Sequence, residues 1–129
     1  MNSFLLDTCI FLWLTLDPSK LSPQVRDICS DGNNELYLSA VSVWEITLKY
    51  RIGKLNLNIS PDRFVTQQRA AHDIEELPFR ENEALQQLNL PFHHKDPFDR
   101  MLVAQAVEHD VPILTPDSYI AQYAIKSIW

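Results

Sequence analysis

Phe4-Leu5-Leu6-Asp7-Thr8 is the stretch that decides the fold. Three apolar residues in a row, with no polar alternation, describe a strand buried on both faces, as in a parallel sheet covered by helices. The run stops abruptly at a carboxylate. Beyond it, Ile10 to Trp13 continues as an apolar helix until Asp17-Pro18-Ser19 breaks it. Leu36-Tyr37-Leu38, Ile74-Glu75-Glu76-Leu77 and Val111 to Leu114 read as further strands, and Lys126 to Trp129 as a last edge strand. Helix starts are marked between them. Ser22-Pro23, Ser60-Pro61 and Asp96-Pro97 each place a capping side chain before a first-turn proline. They open helices to about Cys29, Ala71 and His109. Ser39 or Ser42 starts another, to about Arg51, stopped near Gly53; Arg80–Leu88 and Ser118–Tyr123 also read as helical. Strands alternating with helices predict a three-layer α/β/α sandwich around a central, mostly parallel sheet.

The chain has 129 residues, a length expected of a single domain, residues 1–129. A hydrophobic fraction of 46% and a charged fraction of 22% exclude disorder and collagen-like structure. Two cysteines, Cys9 and Cys29, are too few for a disulfide framework and are expected to be reduced core residues of a cytoplasmic protein. The longest apolar stretch, Phe4 to Leu16, is interrupted by Asp7, too short to span a bilayer, and not preceded by a basic residue, so no membrane segment is expected. With only Gly32 and Gly53, the chain has no glycine-rich phosphate loop. Eleven Lys and Arg against 17 Asp and Glu give a net charge of −6. That argues against broad electrostatic attachment to nucleic acid and directs attention to the carboxylates.

Asp7 ends the first strand, and Asp117 follows Ile113-Leu114-Thr115 at the end of the fourth. Ligands of open α/β sheets bind beyond the carboxyl ends of the strands. If these two strands are neighbours, both acids enter one crevice; each is also able simply to cap the helix after it. Glu45 falls on an apolar stripe, Val41, Trp44, Leu48 and Ile52, expected to face the core. A carboxylate there is usually exposed at the stripe's edge, paired, for example with Lys49 one turn on, or bound to a cation. Asp96 reads as an N-cap. Asp99 either completes a capping box or, leading into Leu102, Val103 and Ala106, aims toward the core. Four converging carboxylates repel one another. Hard divalent cations such as Mg²⁺ or Mn²⁺ remove that conflict. His93 and His94 are adjacent in sequence and do not by themselves form a zinc site.

Leu5-Leu6-Asp7-Thr8, Trp44-Glu45-Ile46, Asp96-Pro97-Phe98-Asp99-Arg100 with Val103-Ala104-Gln105-Ala106, and Leu114-Thr115-Pro116-Asp117 together resemble the PIN-domain ribonucleases. Their order and spacing are similar in particular to the VapC-like toxins of bacterial toxin–antitoxin pairs. The resemblance spans essentially the whole chain. It implies a PIN-like parallel sandwich, an Mg²⁺- or Mn²⁺-dependent endoribonuclease, dimerisation, and inhibition by a cognate antitoxin. By position, Asp7, Glu45, Asp99 and Asp117 match the family's acidic quartet, Asp96 is an additional acid, and Thr8 and Thr115 match supporting hydroxyl positions.

Two other readings are weighed. A catalytically inactive PIN-like RNA-binding or interaction module would lack the intact quartet. A phosphoryl-transfer domain of the haloacid-dehalogenase type would carry Asp-x-Asp after the first strand, where this chain has Asp7-Thr8-Cys9, and one of the receiver type would carry its phosphoacceptor Asp after a central later strand with a Lys near the last; neither fits well. Local cations must serve an RNA backbone: Lys49, Arg51 and Lys54 at one helix end, and Lys95 and Arg100 beside the acidic segment, with Arg100 the leading candidate. Apolar residues from Val41 to Phe64 (Val43, Trp44, Ile46, Tyr50, Ile52, Leu55, Leu57 and Ile59 among them) exceed what one core-facing stripe absorbs. The surplus is expected to form a homodimer or antitoxin surface.

Overall fold

Side chains alternate along β1 (Ser3–Leu6), sending Phe4 and Leu6 to one side of the sheet and Leu5 to the other. The same alternation holds in β2 (Glu35–Ser39), where Leu36 and Leu38 join Phe4 and Leu6 while Tyr37 faces away, and in β4 (Ile113–Leu114), which splits Leu114 from Ile113. Two apolar cores result, one on each face, and helices must cover both. This computed structural model describes residues 2–129. With β3 (Ile74–Leu77) and β5 (Ser127–Ile128), the strands form one sheet in the order β3-β2-β1-β4-β5, every neighbour parallel. The expected α/β/α sandwich is therefore present, with a wholly parallel sheet.

The helices are α1 (Thr8–Leu16), α2 (Pro23–Ser30), α3 (Ala40–Arg51), α4 (Pro61–His72), α5 (Glu81–Leu85) and α6 (Pro97–His109). Three of the expected start signals cap their helices, while Ser60 does not, because its hydroxyl donates to the Asp62 carboxylate instead of accepting from the first turn of α4. Ser22 Oγ accepts from Val25 N–H at 3.1 Å, Ser39 Oγ from Val41 N–H at 3.0 Å, and Asp96 Oδ1 from Phe98 N–H at 2.8 Å. Gly53, at φ +78°, closes α3 in the left-handed conformation that glycine adopts without cost. No helix among the described residues is long and apolar enough to cross a membrane.

Four expectations need correction. β4 is two residues, not four, because Val111 N–H is spent on Ala106 O at the end of α6 and Pro112 has no N–H to give. Ser118–Tyr123 forms only a 3₁₀ turn over Ile120–Gln122, ended where Tyr123 becomes extended. Arg80–Leu88 is α5 followed by a 3₁₀ turn at Gln86–Leu88. The largest correction concerns α3. Its buried face is Val41, Ser42, Glu45 and Ile46, whereas Trp44, Leu48 and Ile52 are 56%, 42% and 56% exposed. Of the stripe expected to face the core only Val41 does so, and the other three face solvent, with Trp44 set edge-on to Phe98 at 5.2 Å. Of the apolar surplus, Ile46 and Phe64 are core residues, and Val43, Leu55, Leu57 and Ile59 pack against the core.

The strand order places the site. The chain leaves β1 toward β2 and β3 on one side, then returns to β4 and β5 on the other, so the direction of winding reverses between β1 and β4. A crevice opens beyond the carboxyl ends of the strands at such a switch point. β1 and β4 pair directly, Leu6 opposite Leu114, and Asp7 after β1 and Pro116-Asp117 after β4 line the crevice.

Candidate active site

Asp7 follows β1 as the N-cap residue of α1, but its side chain makes no cap bond and turns into the cleft. There Asp7 Oδ2 accepts from Thr115 Oγ1–H at 2.6 Å. Thr115 Oγ1 in turn accepts from Asp117 N–H at 3.0 Å, so one hydroxyl ties the acid after β1 to the loop after β4. Thr8 Oγ1 donates instead to Ser42 Oγ on α3 at 2.8 Å, pinning α1 to α3 beneath the site. Asp117 has two tasks. Its Oδ1 accepts from Tyr119 N–H at 2.8 Å as a local cap, while Oδ2 faces the cleft.

Glu45 arrives from α3. It is 5% exposed, and its Oε2 receives Lys49 Nζ at 2.6 Å, the pairing open to it from the sequence. Its Oε1 is buried and has no hydrogen-bond partner. An unpartnered buried carboxylate oxygen is costly and marks a place for a missing donor or cation. Asp99 comes from the first turn of α6. It does not close a capping box, because the Asp96 N–H is taken by His94 Nδ1 at 3.1 Å. Asp96 acts as the N-cap, while Asp99 turns into the cleft. Asp7, Glu45, Asp96, Asp99 and Asp117 line one cavity of about 390 Å³, with Lys49 at its edge.

The electrostatics reflect this crowding. Burial pushes the Asp99 carboxyl up to about 7, helped by the charges of Asp7 and Asp96 and opposed by His94. Burial likewise raises Asp7, against the lowering effect of the Thr115 hydroxyl, with Glu45 and Asp117 adding to the rise. Burial, then the nearby Asp7 carboxylate, pushes the Cys9 thiol far above its ordinary range, so Cys9 is inert as a nucleophile, as its apolar setting suggests. Among the described residues, the potential ligand atoms lying within 4.8 Å of one another are those of His94, Asp99 and Asp117, while Asp7 and the orphaned Glu45 oxygen line the same cavity; this oxygen-rich set fits a hard divalent cation.

A stability consequence follows. Asp99 binds its proton more tightly folded than unfolded, so its contribution is full below the unfolded value near 3.8 and is lost as pH rises toward 7. Metal-free wild type is therefore expected to fall behind Asp99→Asn in melting temperature as pH rises from 4 to 7. Paired melting curves in EDTA measure this, and a gap that stays constant with pH refutes it.

Arg100 requires correction. It is 6% exposed rather than available to a phosphate. Its Nε donates to Gln87 Oε1 at 3.1 Å, and its Nη1 to Pro91 O at 2.8 Å and Tyr123 Oη at 3.0 Å. The guanidinium also lies 4.2 Å over the Phe92 ring. Arg100 is thus a clamp that holds the loop before α6. Arg51, Lys54 and Lys95 are exposed, while Lys49 is committed to Glu45. Sequence reasoning missed His94, whose Nε2 lies 2.9 Å from Asp117 Oδ2 and 3.0 Å from Asp99 Oδ2. Its position two residues before the Asp96 cap was the available signal.

Residues 4–126 match the sequence model of the family described as PIN domain. No curated protein matches the chain. Several solved structures share the fold. VapBC2 from Rickettsia felis, bound to a DNA fragment from their promoter, superposes with a TM-score of 0.68 at 13% identity, over 98% of this chain and 97% of that one. FitAcB from Neisseria gonorrhoeae gives 0.61 at 21% identity, over 98% and 96%. VapBC-5 from Mycobacterium tuberculosis, a member of the VapBC family of toxin–antitoxin systems, gives 0.58 at 17% identity, over 99% and 97%.

Proposed function

Since the chain belongs to the PIN domain family, we propose that it is a single-domain, divalent-metal-dependent endoribonuclease of the cytoplasm, the VapC-like toxin of a toxin–antitoxin pair. The observation that carries the reading is the meeting of Asp7, Glu45, Asp99 and Asp117, from four different elements, in one cleft at the switch point of the sheet. The VapBC and FitAcB structures that share the fold support the toxin assignment.

Asp7, Glu45, Asp99 and Asp117 are the residues that would hold Mg²⁺ or Mn²⁺, with Asp96 close by as cap of α6. A bound divalent ion supplies Lewis acidity, acidifying water near neutral pH and offsetting charge on the phosphate under attack. The chain's own groups prepare the site. Thr115 fixes Asp7 and the Asp117 backbone. Thr8 and Ser42 brace α1 against α3. Lys49 neutralises one Glu45 oxygen and leaves the other free for a cation. Because the net charge is −6, the RNA backbone is drawn in by local cations, of which Arg51 and Lys95 are the exposed candidates. In hydrolysis a water oxygen bonds to phosphorus as the P–O3′ bond breaks and the 3′-oxygen takes a proton, which would leave a 5′-phosphate and a 3′-hydroxyl. The exposed Trp44, Leu48 and Ile52 stripe offers a surface for a homodimer or for the antitoxin.

Incubation of total RNA with purified protein is the test. Cleavage is expected in Mg²⁺ or Mn²⁺ and none in EDTA. No cleavage under any metal condition, with RNA still bound, would instead make the chain an inactive RNA-binding module.

A further inference from the structure

Among the acids of the cleft stands a group that the chain supplies itself. His94 Nε2 lies 2.9 Å from Asp117 Oδ2 and 3.0 Å from Asp99 Oδ2. Its other ring nitrogen, Nδ1, accepts from Asp96 N–H at 3.1 Å. A ring whose Nδ1 accepts carries its proton on Nε2. His94 therefore presents an N–H to both carboxylates and offers no lone pair there. A cation held by Asp99 and Asp117 needs the same two oxygens, and the N–H and the cation exclude each other.

The ring is held where it is by its surroundings. His94 N–H donates to Tyr123 Oη at 3.0 Å, an oxygen that also accepts from the clamped Arg100. The imidazole lies 5.3 Å from the Tyr119 ring. Beside it is a hollow of about 330 Å³, lined by Phe92, His93, Lys95, Asp96 and Tyr119, with room for the ring. The buried Glu45 Oε1 has no partner, so the imidazole satisfies only part of the acidic set and leaves an oxygen for an incoming ion.

We propose that His94 is a built-in stand-in for the metal ion, whose Nε2–H bridges Asp99 and Asp117 in metal-free protein and which must swing into the adjacent hollow before a cation loads. This rests on the reading of the cleft as a divalent-metal site. Apparent affinity falls by the fraction of molecules whose site is open. A bridge closed in about nine molecules of ten weakens metal binding about tenfold, and its removal restores that factor.

Calorimetric titration of EDTA-stripped wild type, His94→Ala and His94→Gln with MnCl₂ and MgCl₂ provides the test. His94→Ala is expected to bind about tenfold more tightly, with His94→Gln between, since an amide N–H still reaches the carboxylates. Weaker binding by His94→Ala would make the imidazole a ligand, and unchanged binding would make it a bystander; either overturns the proposal. On unaltered protein, ¹⁵N NMR reads the same event. A protected His94 Nε2–H signal is expected without metal and lost as Mg²⁺ saturates, and a signal that survives saturation overturns the proposal. Absence of metal binding by both wild type and His94→Ala, together with no RNA cleavage, would overturn the functional reading as well. Intact binding and cleavage without the change in affinity would overturn the stand-in alone.

Discussion

Asp7→Asn is expected to lower RNA cleavage about a thousandfold or more while leaving the metal-free protein at least as stable. Metal-assisted charge stabilisation supplies several kcal/mol to the transition state, and about 4 kcal/mol corresponds to three powers of ten. Asparagine keeps an oxygen for the Thr115 hydroxyl, so the bond at 2.6 Å survives. It also removes a buried charge that Glu45 and Asp117 oppose. Melting in EDTA should be unchanged or higher, and the gain on adding Mn²⁺ smaller. Asp96→Ala is the contrast: loss of the cap to Phe98 and Asp99 should cost about 1 kcal/mol and leave measurable cleavage. Cleavage assays beside melting curves for both variants separate the roles. An active Asp7→Asn, or a fully inactive but stable Asp96→Ala, would reassign them.

Arg100→Ala is expected to destabilise the protein by about 3 kcal/mol, because hydrogen bonds to a buried charged group are worth about 1.5–3 kcal/mol each and their partners are left unpaired. Gln87 Oε1 and Pro91 O lose their donor, and Tyr123 Oη keeps only that from His94 N–H. A fall of about 10 °C in melting temperature corresponds to that loss in a domain of this size. Arg100→Lys should recover little, since an ammonium cannot serve the planar fork. If Arg100 instead met RNA phosphates, Arg100→Lys would keep most of the stability and both variants would lose substrate affinity. Thermal melts with an RNA-binding titration decide between these.

The sandwich was legible because its strands are short apolar runs and three of its helices open on Ser-Pro or Asp-Pro pairs, signals that are local. Asp7 and Asp117 were legible as site candidates for the same reason, each ending an apolar strand. Glu45 was found by way of a stripe that proved to be the wrong one. The buried face of α3 contains Ser42 and the acid itself, and the more apolar residues Trp44, Leu48 and Ile52 lie outside. Hydrophobicity ranks residues by type, while burial on α3 is decided by which of its faces meets β2, α1, α4 and α6 in the finished fold, the Thr8–Ser42 bond to α1 among those contacts. The roles of Arg100 and His94 were harder to read for a different reason, although His94's place just before the Asp96 cap was a signal. Their partners are loop carbonyls, Gln87, and the distant Tyr123 and Asp117, brought near only by the complete fold.

The most direct measurement takes a defined RNA oligonucleotide that the protein cuts and determines the chemistry of the new ends, with Mn²⁺ and with EDTA. A carboxylate-held cation acting on water should give 5′-phosphate and 3′-hydroxyl ends in Mn²⁺, no products in EDTA, and none with Asp7→Asn. Cyclic 2′,3′-phosphate ends formed equally well in EDTA would contradict it, moving the chemistry from the acidic cleft to His93 or His94.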